Sequence, residues 1–281
     1  MHVDIAISLV AYRVVISDLN RVLDTLNHTA LPITSAIIII DNFGDANLEA
    51  FSARRGLLYY RSPANIGFGS GHNISTEVFK ISSKVRLILN PDVYITSDSI
   101  CECYKYLLSN HDVALVSPSL LSPDGRIQNV CRQFPTIMDI LSRAIGHIFN
   151  PNRPTSPQSY ESSKLPIRIP FVHGACLFIK SEYYLKIGGF DPRYFLYVED
   201  ADLCRRIWQL GAVEYLPHIT ATHLHGKASH KNLRLTLVHL KSFITYFKKW
   251  GWFCDKRGNM INRELSIKAG LPQIKRSSDG A

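Results

Sequence analysis

Three acids, Glu199, Asp200 and Asp202, stand between the glycine pair Gly188-Gly189 and Gly211, directly behind the aromatic run Tyr194-Phe195-Leu196-Tyr197. Acids gathered this closely can take a proton from an attacking group, hold a divalent cation, or cap a helix. Leu203, Ile207 and Leu210 follow at helical spacing, which puts the three acids in a first helical turn, where the macrodipole favours negative charge. Capping alone would account for them. A second acidic site, Asn90-Pro91-Asp92, follows an apolar run, and a short acid at a strand end can present its oxygens to a crevice. The alternative there is a turn whose side chains cap their own backbone. His223 and His225 alternate in Thr222-His223-Leu224-His225-Gly226, so a strand would point both to one face.

Residues this far apart need a scaffold that gathers them. Apolar runs at 5–10, 37–40, 57–60, 87–89 and 114–116 are too short for helices and predict buried strands. Helical patterns lie between them, such as Leu19, Val22, Leu23 and Leu26 after Ser17-Asp18, and Ile100, Tyr104, Leu107 and Leu108 after Ser97-Asp98. The alternation predicts an α/β fold with a mostly parallel central sheet flanked by helices, whose ligands lie beyond the carboxyl ends of the strands. Asp41 and Asp92 both fall at such ends. In the second half, Ile137, Ile140, Leu141, Ala144, Ile145 and Ile148 form an apolar helix stripe, followed by a Pro/Ser/Asn-rich loop over 150–166 that is either a lid or an inert insertion. Residues 171–179 read as one strand, and further helices open at Lys180 or Ser181 and over 233–249.

With 281 residues the chain suits one large domain, over 1–230, and a shorter extension over 231–281. No apolar run approaches the ~18 residues of a membrane span, and the N-terminus lacks signal-peptide character, so the expected location is cytoplasmic. Six scattered cysteines without metal-site spacing predict reduced, mostly buried thiols. A formal charge of +9 calls for an anionic partner. Nucleic acid is excluded by the lack of a zinc knuckle, an RNP-like signature or a helix-turn-helix pattern. The late basic residues, among them Lys241, Lys248, Lys249, Lys256 and Arg257, interleave with Phe247, Trp250, Trp252 and Phe253, which suits either an anionic membrane surface or a solvated helix face with an aromatic inner side.

Taken in order, the strand of residues 5–12, the strand end Asp41-Asn42, the segment Asn65-Ile66-Gly67-Phe68-Gly69-Ser70-Gly71-His72-Asn73, then Asn90-Pro91-Asp92, Gly188-Gly189-Phe190-Asp191 and Glu199-Asp200 resemble the family-2 glycosyltransferases of GT-A fold. The resemblance covers roughly residues 3 to 230 and is strongest to the rhamnosyltransferase-like group of bacterial surface polysaccharide assembly. Such enzymes move a sugar from a nucleotide diphosphate donor to an acceptor hydroxyl with inversion. Arg13 departs from the pattern, which usually has Asn after the first-strand Tyr.

The resemblance implies a role for each matching residue. Asp200 is the expected catalytic base, with Glu199 orienting the acceptor or standing as second choice, while Asp202 anchors its helix through Arg205 or Arg206. Ala11, Tyr12 and Asp41 are expected against the donor base, and Asn65, Gly67, Asn73, Asn90 and Asp92 along the rest of the donor. The glycines at 67, 69 and 71 let backbone approach a nucleotide, although their spacing is not that of a dinucleotide fingerprint. Asp92 is the expected ligand of Mg²⁺ or Mn²⁺, completed by His223, with His225 and His230 behind it. His173, Gly174 and Asp191 are expected on the acceptor side. The implied donor is dTDP-L-rhamnose and the implied acceptor a polyprenyl diphosphate-linked saccharide at the inner face of the plasma membrane. A UDP-sugar donor, a noncatalytic relative and a nucleotidyltransferase are the alternatives. The last should carry a basic glycine-rich loop after the first strand, and Tyr12-Arg13-Val14-Val15 is not one.

Overall fold

The computed structural model describes residues 1–27, 33–138, 140, 164–224 and 233–269. His225, His230, most of the helix stripe expected after Ile137, nearly all of the 150–166 loop and the tail beyond 269 lie outside them.

Alternating strands and helices build the first half: β1 (His2–Ala11), α1 (Ile16–Asn27), β2 (Ser35–Asp41), α2 (Ala46–Arg54), β3 (Leu58–Arg61), α3 (Phe68–Glu77), β4 (Ser82–Leu89), β5 (Val93–Ile95), α4 (Ser97–Ser109) and β6 (Val113–Leu121). The second half adds β7 (Cys131–Arg132), β8 (Ile167–Arg168), β9 (Phe171–Val172), β10 (Cys176–Lys180), α5 (Ser181–Lys186), α6 (Glu199–Ile207), β11 (Ala212–His223), α7 (Leu233–Trp250) and α8 (Lys256–Lys268).

The sheet runs β3-β2-β1-β4-β10-β6-β11-β5, with β8 on β11. From β3 to β4 it is parallel, as the buried, β-branched runs predict. Beyond β4 it is mixed, because β10 runs antiparallel to both β4 and β6, and β5 antiparallel to β11. The segment expected as one strand over 171–179 is two. It breaks at His173-Gly174-Ala175, so β9 leaves the main sheet to pair with β7 while β10 enters it.

This topology gathers the carboxyl ends of β1, β2, β4, β6 and β11 at one edge, together with the start of β10. The core beneath includes Leu9, Leu87, Leu89, Phe178 and Val213. α7 and α8 contribute Tyr246, Phe247, Ile261 and Leu265 to the same cluster. No described helix is long and apolar enough to cross a membrane. Four of the six free cysteines are buried, Cys101 is half-buried and Cys254 is exposed.

Candidate active site

Asp41 ends β2 with no exposure at all. Its Oδ1 accepts the N–H groups of Phe43 and Gly44 at 2.8 Å, and its Oδ2 accepts Asp45 N–H at 2.7 Å and the Tyr59 hydroxyl at 2.8 Å. Burial by itself would raise its pKa, and these bonds outweigh it and hold the carboxyl below its ordinary value. The carboxylate expected against the donor base thus shapes the loop that follows β2. That loop borders a cleft of about 320 Å³ lined by Asn42, Phe43, Gly44, Arg61, Ser62 and Asn65. At the adjacent end of β1, Ala11 is buried and Tyr12 about half exposed. The Tyr12 and Phe43 rings meet edge to face at 5.7 Å. Arg13 takes the Asn position of the family pattern, with φ 54°, and lays its guanidinium 5.5 Å and 5.0 Å from those two ring centres.

The glycine-rich segment is tightly packed. A Cβ on Gly67, where φ is 88°, would lie 2.1 Å from Phe195 O, and one on Gly69 would lie 2.7 Å from the Phe190 side chain. Asn73 is buried and saturated: its Nδ2 donates to Phe190 O at 2.8 Å, while its Oδ1 accepts Phe190 N–H at 2.9 Å and the Tyr184 hydroxyl at 2.7 Å. It clamps α3 to the Gly188-Gly189-Phe190 turn. Of this segment only Asn65 is exposed at the cleft, and its Oδ1 accepts Gly67 N–H.

Asp191, expected on the acceptor side, sits in an ion-pair network. Arg193 and Lys249 hold its carboxylate, Lys249 Nζ at 2.7 Å. The Arg193 bonds lead, with Lys249 adding to them against burial, and the group lies well below the usual carboxylate range. Lys249 bridges onward to Asp202 at 2.7 Å, which also accepts Arg206 Nε at 2.7 Å and Trp250 Nε1 at 2.8 Å. Asp202 anchors its helix through Arg206, as expected, whereas Arg205 pairs with Asp255 and faces Trp250 at 4.5 Å. Lys249 and Trp250, for which the sequence left open a membrane surface or a helix with an aromatic inner side, both turn inward.

Asp92, Asp200, His173 and His223 remain at the open edge. Asn90 N–H donates to Ala175 O at 2.9 Å, which ties the Asn90-Pro91-Asp92 turn to the break between β9 and β10. Two residues back in that break, His173 Nδ1 lies 3.5 Å from Asp200 Oδ2, and Gly174 N–H donates to the same oxygen at 3.2 Å. Asp200 Oδ1 accepts Ala201 N–H. Its neighbour Glu199 points inward, 5% exposed, with Oε2 unpartnered, and burial followed by the adjacent Asp200 charge raises its pKa to about 8. Glu199 is thus held away from the crevice and Asp200 is presented to it. Tyr197 and Val198, just before them, both take left-handed φ of 70° and 67°, costly for a β-branched residue and typical of strain held at functional sites.

Asp92 Oδ1 faces His223 Nε2 at 3.4 Å, because β11 runs beside β5 and Leu224 N–H donates to Asp92 O. Behind the ring, His223 Nδ1 meets Gln128 Oε1 at 3.0 Å, and Gln128 Nε2 donates to His223 O at 2.9 Å. Gln128 gave no sequence signal; only the hairpin that carries it back beneath β11 reveals it. The described residues hold no group of three or more His, Cys, Asp or Glu placed for a metal. An oxygen and a nitrogen ligand at this spacing nonetheless fit one edge of a hard cation that draws its remaining ligands from phosphate and water.

No protein-family profile matches the chain. It is 27% identical over 227 residues to rhamnosyltransferase WbbL of Escherichia coli, covering 76% of this chain and 82% of that one. It is 30% identical over 159 residues to the N-acetylglucosaminyl-diphospho-decaprenol L-rhamnosyltransferase of Mycobacterium tuberculosis, covering 55% and 50%. With the low-salt glycan biosynthesis hexosyltransferase Agl10 of Haloferax volcanii it shares 26% over 171 residues, covering 60% and 52%. The chain thus spans about half the length of the last two relatives. Among solved structures it resembles GalNAc-T7 with UDP, GalNAc and Mn²⁺ at a TM-score of 0.64, with 15% identity over 96% of this chain and 52% of that one. It also resembles the mannosyltransferase PcManGT of Pyrobaculum calidifontis with GDP-Man and Mn²⁺ at 0.61, with 14% identity over 95% and 70%.

Proposed function

We propose that this chain, a family-2 rhamnosyltransferase-like protein of GT-A fold, is an inverting, metal-dependent glycosyltransferase that moves L-rhamnose from dTDP-L-rhamnose to a polyprenyl diphosphate-linked saccharide in surface polysaccharide assembly. One observation carries the reading: Asp200, presented by Gly174 and His173, and Asp92, facing His223, stand at one sheet edge joined through the start of β10. Asp200 Oδ2 takes the proton of the acceptor hydroxyl as its oxygen bonds to the anomeric carbon. The bond to the donor diphosphate breaks on the opposite face, and its electron pair leaves with the diphosphate. Gly174 N–H and the half-exposed His173 ring orient Asp200 and border the acceptor. Asp92 and His223 would hold Mg²⁺ or Mn²⁺, which supplies positive charge against the leaving diphosphate. The nucleoside occupies the cleft between the β2 and β3 ends, against Tyr12 and Phe43.

The acceptor's lipid places the reaction at a membrane. Leu237, Lys241 and Lys248 recur along one stripe of α7, and exposed Leu240, Trp252 and Phe253 accompany them. These residues form the contact with anionic lipid. Replacing Trp252 and Phe253 with serine should lower cosedimentation with anionic vesicles severalfold, and unchanged sedimentation would remove the membrane part of the proposal.

Calorimetry with dTDP, UDP and GDP, each with and without Mn²⁺, is the direct test of the donor. Metal-dependent binding of dTDP alone, followed by rhamnose transfer to the lipid-linked acceptor, is the expected result. Preference for UDP would replace the sugar, and no binding at all would favour a noncatalytic role.

A further inference from the structure

We infer that Gln128 is a positioning residue that fixes the tautomer of His223, so that the ring turns its Nε2 lone pair toward the space shared with Asp92. The inference rests on the cation site proposed above, and adds the group that makes a histidine there competent to bind.

The hydrogen bonds leave one consistent arrangement. A backbone carbonyl only accepts, so the Gln128 atom 2.9 Å from His223 O is the amide nitrogen, which leaves Oε1 facing the ring. An amide oxygen also only accepts, so Nδ1, at 3.0 Å, carries the ring proton. In the neutral ring Nε2 is then a bare lone pair, 3.4 Å from Asp92 Oδ1, which is itself an acceptor. Two acceptors face to face repel one another unless a proton or a cation lies between them. Gln128 thereby excludes the alternative in which a neutral His223 donates Nε2–H to Asp92 and closes the site on itself.

The backbone holds Gln128 to this task. Gln128 N–H donates to Leu120 O at 2.7 Å and Ser122 N–H to Arg126 O at 2.8 Å, so the hairpin after β6 returns the side chain under the end of β11. The pair of bonds to ring and carbonyl of the same residue grips His223 at two points, which limits rotation of the ring about its own bonds. Partners behind a metal-binding histidine act in this way on orientation and basicity, and their removal typically lowers metal affinity by ~10- to 100-fold.

Two readouts test the inference, neither of them turnover. Long-range ¹H–¹⁵N spectra under mildly alkaline conditions report the His223 tautomer, and titration with Mn²⁺ in the presence of dTDP reports affinity. The wild-type ring should carry its proton on Nδ1. Gln128→Met, close in size but offering Nδ1–H only a weakly accepting thioether, should shift the ring toward Nε2–H and weaken Mn²⁺ about 10-fold or more. Gln128→Glu, which keeps an acceptor, should retain the Nδ1–H ring and distinguishes this role from mere packing. A wild-type ring protonated on Nε2, or Mn²⁺ affinity unmoved in a folded Gln128→Met chain, would overturn the inference alone. A wild-type chain with the Nδ1–H ring that binds no Mn²⁺ would overturn the cation site, and the inference with it.

Discussion

The seam that docks the C-terminal helices and the edge that carries Asp92 and Asp200 are both built on carboxylates, and they differ in what is left over. At the seam, Asp202 is fully buried and receives Arg206, Lys249 and Trp250, while Asp191 receives Arg193 and Lys249. Every strong acceptor position there is met from within the protein. At the edge, Asp200 Oδ2 has one backbone N–H at 3.2 Å and an imidazole at 3.5 Å, and Asp92 faces a histidine nitrogen at 3.4 Å. Those carboxylates keep capacity for something from outside. Residue type alone does not separate a site from a strut; the number of internal donors does.

Substitutions should divide the same way. Asp200→Asn removes the proposed base without leaving a charge unpaired, so turnover should fall ~10³-fold while dTDP affinity and melting temperature stay within error. Equal loss of donor affinity would move Asp200 to the donor side. Lys249→Met should do the reverse, costing about 3 kcal/mol in denaturant unfolding because Asp191 and Asp202 lose their shared cation, with nucleotide affinity intact below the transition. If both lose stability equally, the contrast fails. Gly69→Ala should cost about 2 kcal/mol, since its Cβ would meet the Phe190 side chain at 2.7 Å. Loss of nucleotide affinity without loss of stability would instead restore a ligand-facing role for that turn.

Glu199 makes the stability of the protein depend on pH. Its pKa rises from an ordinary 4.5 to about 8, so between those values the folded protein holds a proton that the unfolded chain has released. The stabilisation is complete below the unfolded value and is lost as pH rises through the window. Glu199→Gln should flatten that decline by about 1 kcal/mol per pH unit near neutrality, read as the difference between the two unfolding curves. Parallel curves would show that the carboxyl is not protonated in the native state.

Much of this was legible in the chain itself. The short apolar runs located β1 to β4 and β6, and the acids followed by Leu203 and Ile207 located α6. Asp92 and His223, expected to share a cation, lie 3.4 Å apart, and Asp200 and His173, each expected around the acceptor, lie 3.5 Å apart. What the sequence does not show is which strand-end acid is met by donors from within the protein and which stays open. Asp41 looked like Asp92 because the donors that saturate it, Phe43, Gly44, Asp45 and Tyr59, come from a loop and a neighbouring strand whose geometry no local pattern states. The glycines at 67, 69 and 71 allow close approach of a nucleotide, and sequence does not show that Phe195 and Phe190 press on two of them. The break at His173-Gly174-Ala175 was hidden because its flanks, Phe171-Val172 and the run from Cys176, are both strand-like. β11 crosses to β5 and β6, and that long-range pairing is what makes Gln128 a neighbour of His223.

The bridge from Asp191 and Asp202 to Lys249 also constrains the order in which the protein can be completed. During synthesis the acids of α6 leave the ribosome first, and Lys249 follows tens of residues later, a delay of several seconds at ~5–20 residues per second. Throughout that interval Arg193 and Arg206 are already beside Asp191 and Asp202, while the cation that the two acids share is missing until α7 arrives. The seam between the acidic segment and the C-terminal helices is therefore closed only when α7 has docked, late in the growth of the polypeptide.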